Sequence, residues 1–331
     1  PEFERDGWQT THTVVEVICD DMPFLVDSIR MVINRMNISS HLIVHMGGIR
    51  VKRDDHNTVD KILTRTASSR SKEVLHEAPI FLEIDRETNP LILEELQQKI
   101  TKALEDNKMV FEDWEAMRSK VLKTATELDA IPGVIDAEEV QETKAFLNWI
   151  EDHHFTFLGV RDYELVKKDE ELLLQAVPGT GLGVLRDNVS HSSSLNLSMM
   201  TPEARVFILS PRILVMAKTN TLATVHRDAY ADYIGIKRFD KKGNVIGERR
   251  LIGLYTSAAY HTNPRHIPFL RHKVALVMEN SGLKPRSHAG KVLLNILETL
   301  PRDDLIQGSE EELLEIAMGI FYMQDRPRIR L

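Results

Sequence analysis

Two stretches of the chain place side chains capable of acid–base chemistry close together. The first is the corner "CDDMPF", where Asp20 and Asp21 precede Met22, Pro23 and Phe24, with Ser28 one helical turn further on. The second is "TVHRDAYADYIGIK", which gathers His226, Arg227, Asp228, Asp232 and Lys237. Paired carboxylates can divide general-acid and general-base work when both face one reacting centre. His226 beside two aspartates could serve as a general base, with Arg227 and Lys237 holding an anionic substrate. Each reading has a structural competitor. Neighbouring residues on an extended strand point to opposite faces, which separates Asp20 from Asp21. No serine or cysteine nucleophile pattern accompanies His226, so a histidine in a polar network that knits strands to a helix is the favoured reading there. Asp21 is left with two roles, capping a helix or binding a ligand amine.

The remaining motifs are weaker. "GTGLG" (Gly179, Gly181, Gly183) has the glycines of a phosphate cradle, but a serine-rich loop follows where a dinucleotide fingerprint opens a helix. It is expected to be a loop. His153 and His154, and the trio His261, His266 and His272, lack a cysteine or acidic partner at ligand spacing, so no metal is expected. The adjacent glycines of "MGGIRV" predict a bulge or a close backbone approach.

These residues need elements to position them. Val14 onward reads as a buried strand, and Leu25, Ile29, Val32, Ile33 and Met36 follow at helical spacing, with Asn37 as the stop. "HLIVHMGGIRVKRD" and "APIFLEID" read as strands, and "LILEELQQKITKALED" as an amphipathic helix. The order strand, helix, strand, strand, helix predicts an antiparallel sheet with helices on one face, an α+β class. The helical pattern continues over 107–131, and Pro132-Gly133 marks a linker. A helix over 137–152 precedes short strands separated by turn signals, which predict a second, largely antiparallel sheet. Helices are expected at 267–281, 288–300 and 309–323, with Gly282 ending the first and Ser309 capping the last.

Composition sets the limits. The chain has 331 residues, enough for two or three domains, and 42% apolar residues, enough for each to bury a core. A net charge of -8 excludes the broad positive field that nucleic acid or an anionic membrane needs, so neither partner is expected. No apolar run is long enough to span a bilayer. The single cysteine, Cys19, cannot form an internal disulfide, which fits a reducing cytoplasm. Pro1-Glu2-Phe3 reads as a cloning scar, and "RPRIRL" at 326–331 as the start of a strand, so the chain is expected to be a fragment of a longer protein.

"VEVICDDMPFLVDSIRMVINRMNI" resembles the strand–turn–helix of an ACT domain, whose turn usually reads Asp-x-Pro-Gly-Leu-Leu. Asp21, Pro23, Leu25, Asn37 and Ile38 match, and Phe24 stands where the family usually has glycine. "FLNWIEDHHFTFLGVRDYEL", the run from Lys218 to Tyr260, "IPFLRHKV" and "LPRDDL" together resemble the N-terminal region of the large bacterial NAD-specific glutamate dehydrogenases. The resemblance implies an ACT-like βαββα domain over 4–106, a helical linker over 107–136, a PAS-like sheet domain over 137–262 and a helical segment over 263–331. It implies a parent enzyme that uses NAD to convert L-glutamate to 2-oxoglutarate and ammonia, with no cofactor and no catalytic residue in this segment. It further implies a regulatory or assembly role, with the parent's catalytic domain and identical subunits as partners. A small amino-acid effector would then sit at the corner Asp20, Asp21, Met22, Pro23, Phe24 and Ser28.

Overall fold

The computed structural model describes residues 1, 3–63, 74–168, 171–187 and 194–323. The chain divides into two compact units, Pro1–Glu112 with Leu222–Ala229, and Asp113–Thr221 with Tyr230–Leu331. The strand expected at 326–331 lies outside the described residues.

In the first unit a short helical turn, α1 (Phe3–Asp6), precedes β1 (Thr13–Asp20), α2 (Leu25–Arg35), β2 (Ser40–His45), β3 (Ile49–Arg53), β4 (Val59–Leu63), β5 (Leu75–Ile84) and the first half of α3 (Pro90–Glu127). β5 is central: β1 pairs antiparallel along one side, while β2 and β3 share the other. The interruption between β2 and β3 falls at Gly47, with φ of 74°, and at Gly48, where an added Cβ would lie 2.1 Å from Asp21 Oδ2. The paired glycines thus serve both expected purposes. β4, which pairs with β3, carried too little alternation to be read in advance. Among the described residues no strand returns after α3, and β1 remains a sheet edge.

Alternation decides what this sheet buries. Val15, Val17 and Cys19 of β1 and Ala78, Ile80, Leu82 and Ile84 of β5 face Leu25, Ile29, Val32 and Ile33 of α2 and Leu96, Ile100 and Ala103 of α3. α2 ends as Asn37 enters the left-handed region at φ of 55°; Ile38 N–H reaches Ile33 O, and Asn37 N–H reaches Asn34 O. Asparagine tolerates this conformation better than branched residues do.

The second unit holds the rest of α3, then α4 (Ala137–Trp149), β6 (Phe155–Lys168), β7 (Glu171–Ala176), β8 (Leu182–Gly183), β9 (Ser194–Asn196), α5 (Pro202–Leu209), β10 (Leu214–Leu222), β11 (Tyr230–Phe239) and β12 (Val245–Tyr255). The sheet order is β10-β11-β12-β6-β7-β9, with β8 against β6. The helices α6 (Ser257–His261), α7 (Leu270–Asn280), α8 (His288–Thr299), α9 (Arg302–Gln307) and α10 (Glu310–Tyr322) follow. Their core joins Leu270, Val274 and Val277 to Leu293, Leu297, Leu305 and Leu313. Gly282, at φ of 68°, follows α7, and Ser309 closes a reciprocal capping box with Glu312 on α10, both as the sequence predicts. His153 and His154 do not lie on a strand. They end the helical turn after α4, where His154 bonds Trp149 O and stacks on its ring.

One device appears in both units. Pro23-Phe24-Leu25 opens α2 and Pro268-Phe269-Leu270 opens α7, each with phenylalanine at positive φ (66° and 65°) and the next leucine buried. Positive φ is costly for a residue with a side chain, so packing must impose it. At Phe269 the backbone N–H is taken by Glu142 Oε2, and Glu142 also pairs with Arg271.

Candidate functional site

The corner is built by the end of β1 and the start of α2. Asp21 N–H donates to His76 O at 2.9 Å, which continues the strand pairing one residue past Asp20. Asp21 is therefore not the helix cap. The N-cap of α2 is Phe24, three residues later, in the left-handed region and without a side-chain cap; its carbonyl accepts from Ser28 N–H. Asp21 is spent on the strand end and lies against Gly48. Asp20 points elsewhere and pairs with Lys108 Nζ at 2.7 Å on an exposed surface, so the two carboxylates do not converge. Met22 is buried in the core, and Pro23 O accepts from the buried Asn107 Nδ2 at 2.8 Å. Burial, with the Asp20 and Asp21 charges added, pushes the Cys19 thiol up to about 11, far from a reactive thiolate.

The loop Leu222–Ala229 closes over this corner. Ala223 and Val225 are buried. His226, at φ of 77°, donates its backbone N–H to Ser28 Oγ at 3.2 Å, and its ring lies on the Phe24 ring with centroids 4.3 Å apart. Arg35 clamps the loop from α2: its guanidinium donates to Asp228 Oδ1 at 2.9 and 2.6 Å and to Ala223 O at 2.8 Å. Burial lowers the His226 pKa, the Arg227 charge lowers it further and Asp27 opposes, which leaves a neutral ring at pH 7. His226 Nδ1 is buried with no hydrogen-bond partner among the described residues. Phe24 thus holds a left-handed backbone conformation of the kind that favours glycine and fills the corner with a ring.

The other members of the second cluster belong elsewhere. Asp232 accepts from Lys218 Nζ at 2.6 Å and from Tyr255 N–H at 3.2 Å. Burial raises its pKa, and Lys218 only partly offsets that. Lys237 Nζ donates to Ile208 O at 2.6 Å and lies 3.7 Å from Glu248 Oε2. His226, Arg227 and Asp228 lie in the first unit, Asp232 and Lys237 in the second. With Asp228, Asp232 and Lys237 each held by a separate partner, no acid–base constellation is assembled from the five. The glycine run opens no helix: its last two residues form β8 against β6, and Gly183, at φ of 60°, donates its N–H to Asp113 Oδ2. Among the described residues no three His, Cys, Asp or Glu side chains are placed to hold a metal ion.

Sequence reasoning placed Phe24 and Ser28 at the corner but missed what covers them. Arg35, Asn107 and Lys108 read as ordinary helix-surface residues. The one available signal was the apolar pair Ala223 and Val225 in an otherwise polar connection between two strands.

Comparison with known proteins agrees with this architecture. Residues 1–100 match the family model described as the glutamate dehydrogenase ACT1 domain, and residues 267–326 match glutamate dehydrogenase helical motif 1. The NAD-specific glutamate dehydrogenases of Halomonas elongata and Pseudomonas aeruginosa are each 37% identical over all of this chain. The Mycobacterium tuberculosis protein of the same name is 23% identical over 92% of the chain. The chain spans about 20% of the first two relatives and 18% of the third. With an ACT-like first sheet, a second antiparallel sheet and a helical tail, this chain is similar along its whole length to the N-terminal region of the large NAD-specific glutamate dehydrogenases.

Proposed function

We propose that this region is a non-catalytic regulatory and assembly module of an enzyme that oxidises L-glutamate to 2-oxoglutarate and ammonia with NAD. NAD and substrate belong to the catalytic part; the partners of this region are that part and identical subunits, in a cytoplasmic homo-oligomer. The observation that carries the assembly reading is the outer face of the first sheet. Ile18 is 65% exposed, Leu42 45% and Val44 40%. These three share the face turned away from the helices with Phe81, on which Trp8 packs with ring centroids 5.8 Å apart. A contiguous apolar sheet face beside an open edge strand is a surface that proteins cover with another protein. Light scattering tests this: Ile18→Lys with Val44→Lys should lower the oligomeric state of the parent enzyme. A wild-type chain that stays strictly monomeric at high concentration counts against self-association through this face.

An amino-acid effector at the corner is the second reading, with Asp21 taking the ammonium and the start of α2 the carboxylate. The exposed Asp21 side chain favours it. The Phe24 ring opposes it, since it stands where the ligand would lie. Calorimetric titration with a panel of amino acids separates the two: heat with the wild type supports an effector, whereas heat with Phe24→Gly alone marks a corner closed in the native protein.

A further inference from the structure

We propose that the second unit carries a binding site for a small carboxylate, distinct from the Phe24 corner. It is a cavity of ≈470 Å³ between α5 and the sheet face that carries Lys237, Glu248 and Arg250. The site opens on side chains rarely buried together. Lys237 is 3% exposed and Glu248 2%. Register puts Lys237 opposite Glu248 on β11 and β12, and Glu248 opposite Tyr163 on β6, so all three project from one face.

The charges on this face do not balance. Glu248 Oε1 accepts from Arg250 Nε and Nη2, at 3.2 and 2.7 Å, and Oε2 accepts from Tyr233 OH at 2.8 Å. One carboxylate is thereby fully engaged by an arginine and a tyrosine. The Lys237 ammonium comes no nearer to it than 3.7 Å, and its short bond goes to the neutral carbonyl of Ile208. Lys218, also on the wall, is committed to Asp232 and to Asp303. Two buried cations, Lys237 and Arg250, thus share one carboxylate, which is costly, and burial lowers the Lys237 pKa although Glu248 opposes it. A ligand carboxylate seated against Lys237 and Arg250 would supply the missing charge.

The rest of the wall selects the kind of anion. Leu174, Leu195, Ile208 and Val215 make it largely apolar, and the Arg250 guanidinium lies over the Tyr163 ring, 4.1 Å from its centroid. An anion with a hydrocarbon tail fits such a wall better than a fully hydrated inorganic one. The inferred ligand class is therefore an organic acid, an amino or keto acid included.

Calorimetry on the 331-residue chain tests this with three probes: butyrate, glutarate and inorganic phosphate. The organic acids should bind and phosphate should not. Lys237→Met keeps the side chain's length and removes the buried charge, so it should fold at least as well as the wild type yet bind at least tenfold more weakly. Equal affinity of a folded Lys237→Met, binding of phosphate alone, or no binding of either organic acid overturns the assignment. Phe24→Gly should leave these heats unchanged, which keeps this site separable from an effector at the corner.

Discussion

At the scale of single residues, the corner turns on a backbone angle. Phe24 holds a conformation that costs a side-chain-bearing residue roughly 1–2 kcal/mol relative to glycine. Its ring recovers this by packing on His226. Phe24→Ala keeps the backbone cost and loses the ring, whereas Phe24→Gly loses both. We expect Phe24→Gly to be the more stable of the two by about 1 kcal/mol in urea unfolding, an order opposite to that found in helix interiors. Ser28 is fully buried and accepts the His226 N–H. Ser28→Ala leaves that N–H unpaired and should cost about 1–2 kcal/mol by the same measurement. The sequence showed that a residue unusual for this turn stands at Phe24. It could not show the partner, because His226 is some 200 positions away and no periodicity links the two.

At the scale of elements, the ends of helices were the most legible features. Asn37, Gly282 and Ser309 stop or start α2, α7 and α10 by local chemistry, which a short window of sequence carries. Asn37→Val should cost about 1–2 kcal/mol, seen as a lower urea midpoint with an unchanged slope, because valine resists the left-handed conformation that Asn37 accepts. Asp21 shows where local reading fails. A carboxylate just before a helical pattern looks like a cap, but pairing with His76 extends the strand and moves the helix start to Leu25. That pairing lies far off in sequence and outweighs the local preference. β4 was missed for a related reason: four of its five residues are exposed, so no buried face imposed a pattern.

At the scale of the whole molecule, buried ion pairs tie distant parts of the second unit together. Arg249 on β12 donates to Asp162 on β6 at 2.7 and 3.1 Å, to Thr124 Oγ1 at 2.7 Å and to Glu127 at 2.9 Å, and Lys120 lies 3.4 Å from Asp162. Burial alone would raise the Asp162 pKa, but the Arg249 hydrogen bonds and charge, with Lys120, outweigh it and hold the carboxyl below its ordinary value. A depressed pKa means stabilisation that is complete above the unfolded value, about 4, and fades as pH falls toward the folded one. Acid titration of stability should therefore show a loss beginning near pH 4. Asp162→Asn should lower stability at pH 7 by about 3–5 kcal/mol, since the buried Arg249 and the partly buried Lys120 lose that carboxylate, and should flatten the acid loss. The loop Leu222–Ala229 has a practical consequence of another kind. The first unit is not continuous in sequence, so cutting the gene after residue 112 would yield an ACT sheet with Phe24, Ser28 and Arg35 stripped of the eight residues that cover them. Anyone who excises that domain to screen for effectors would be offering ligands a crevice that this loop covers in the intact polypeptide, and hits from such a screen would report on the scissors.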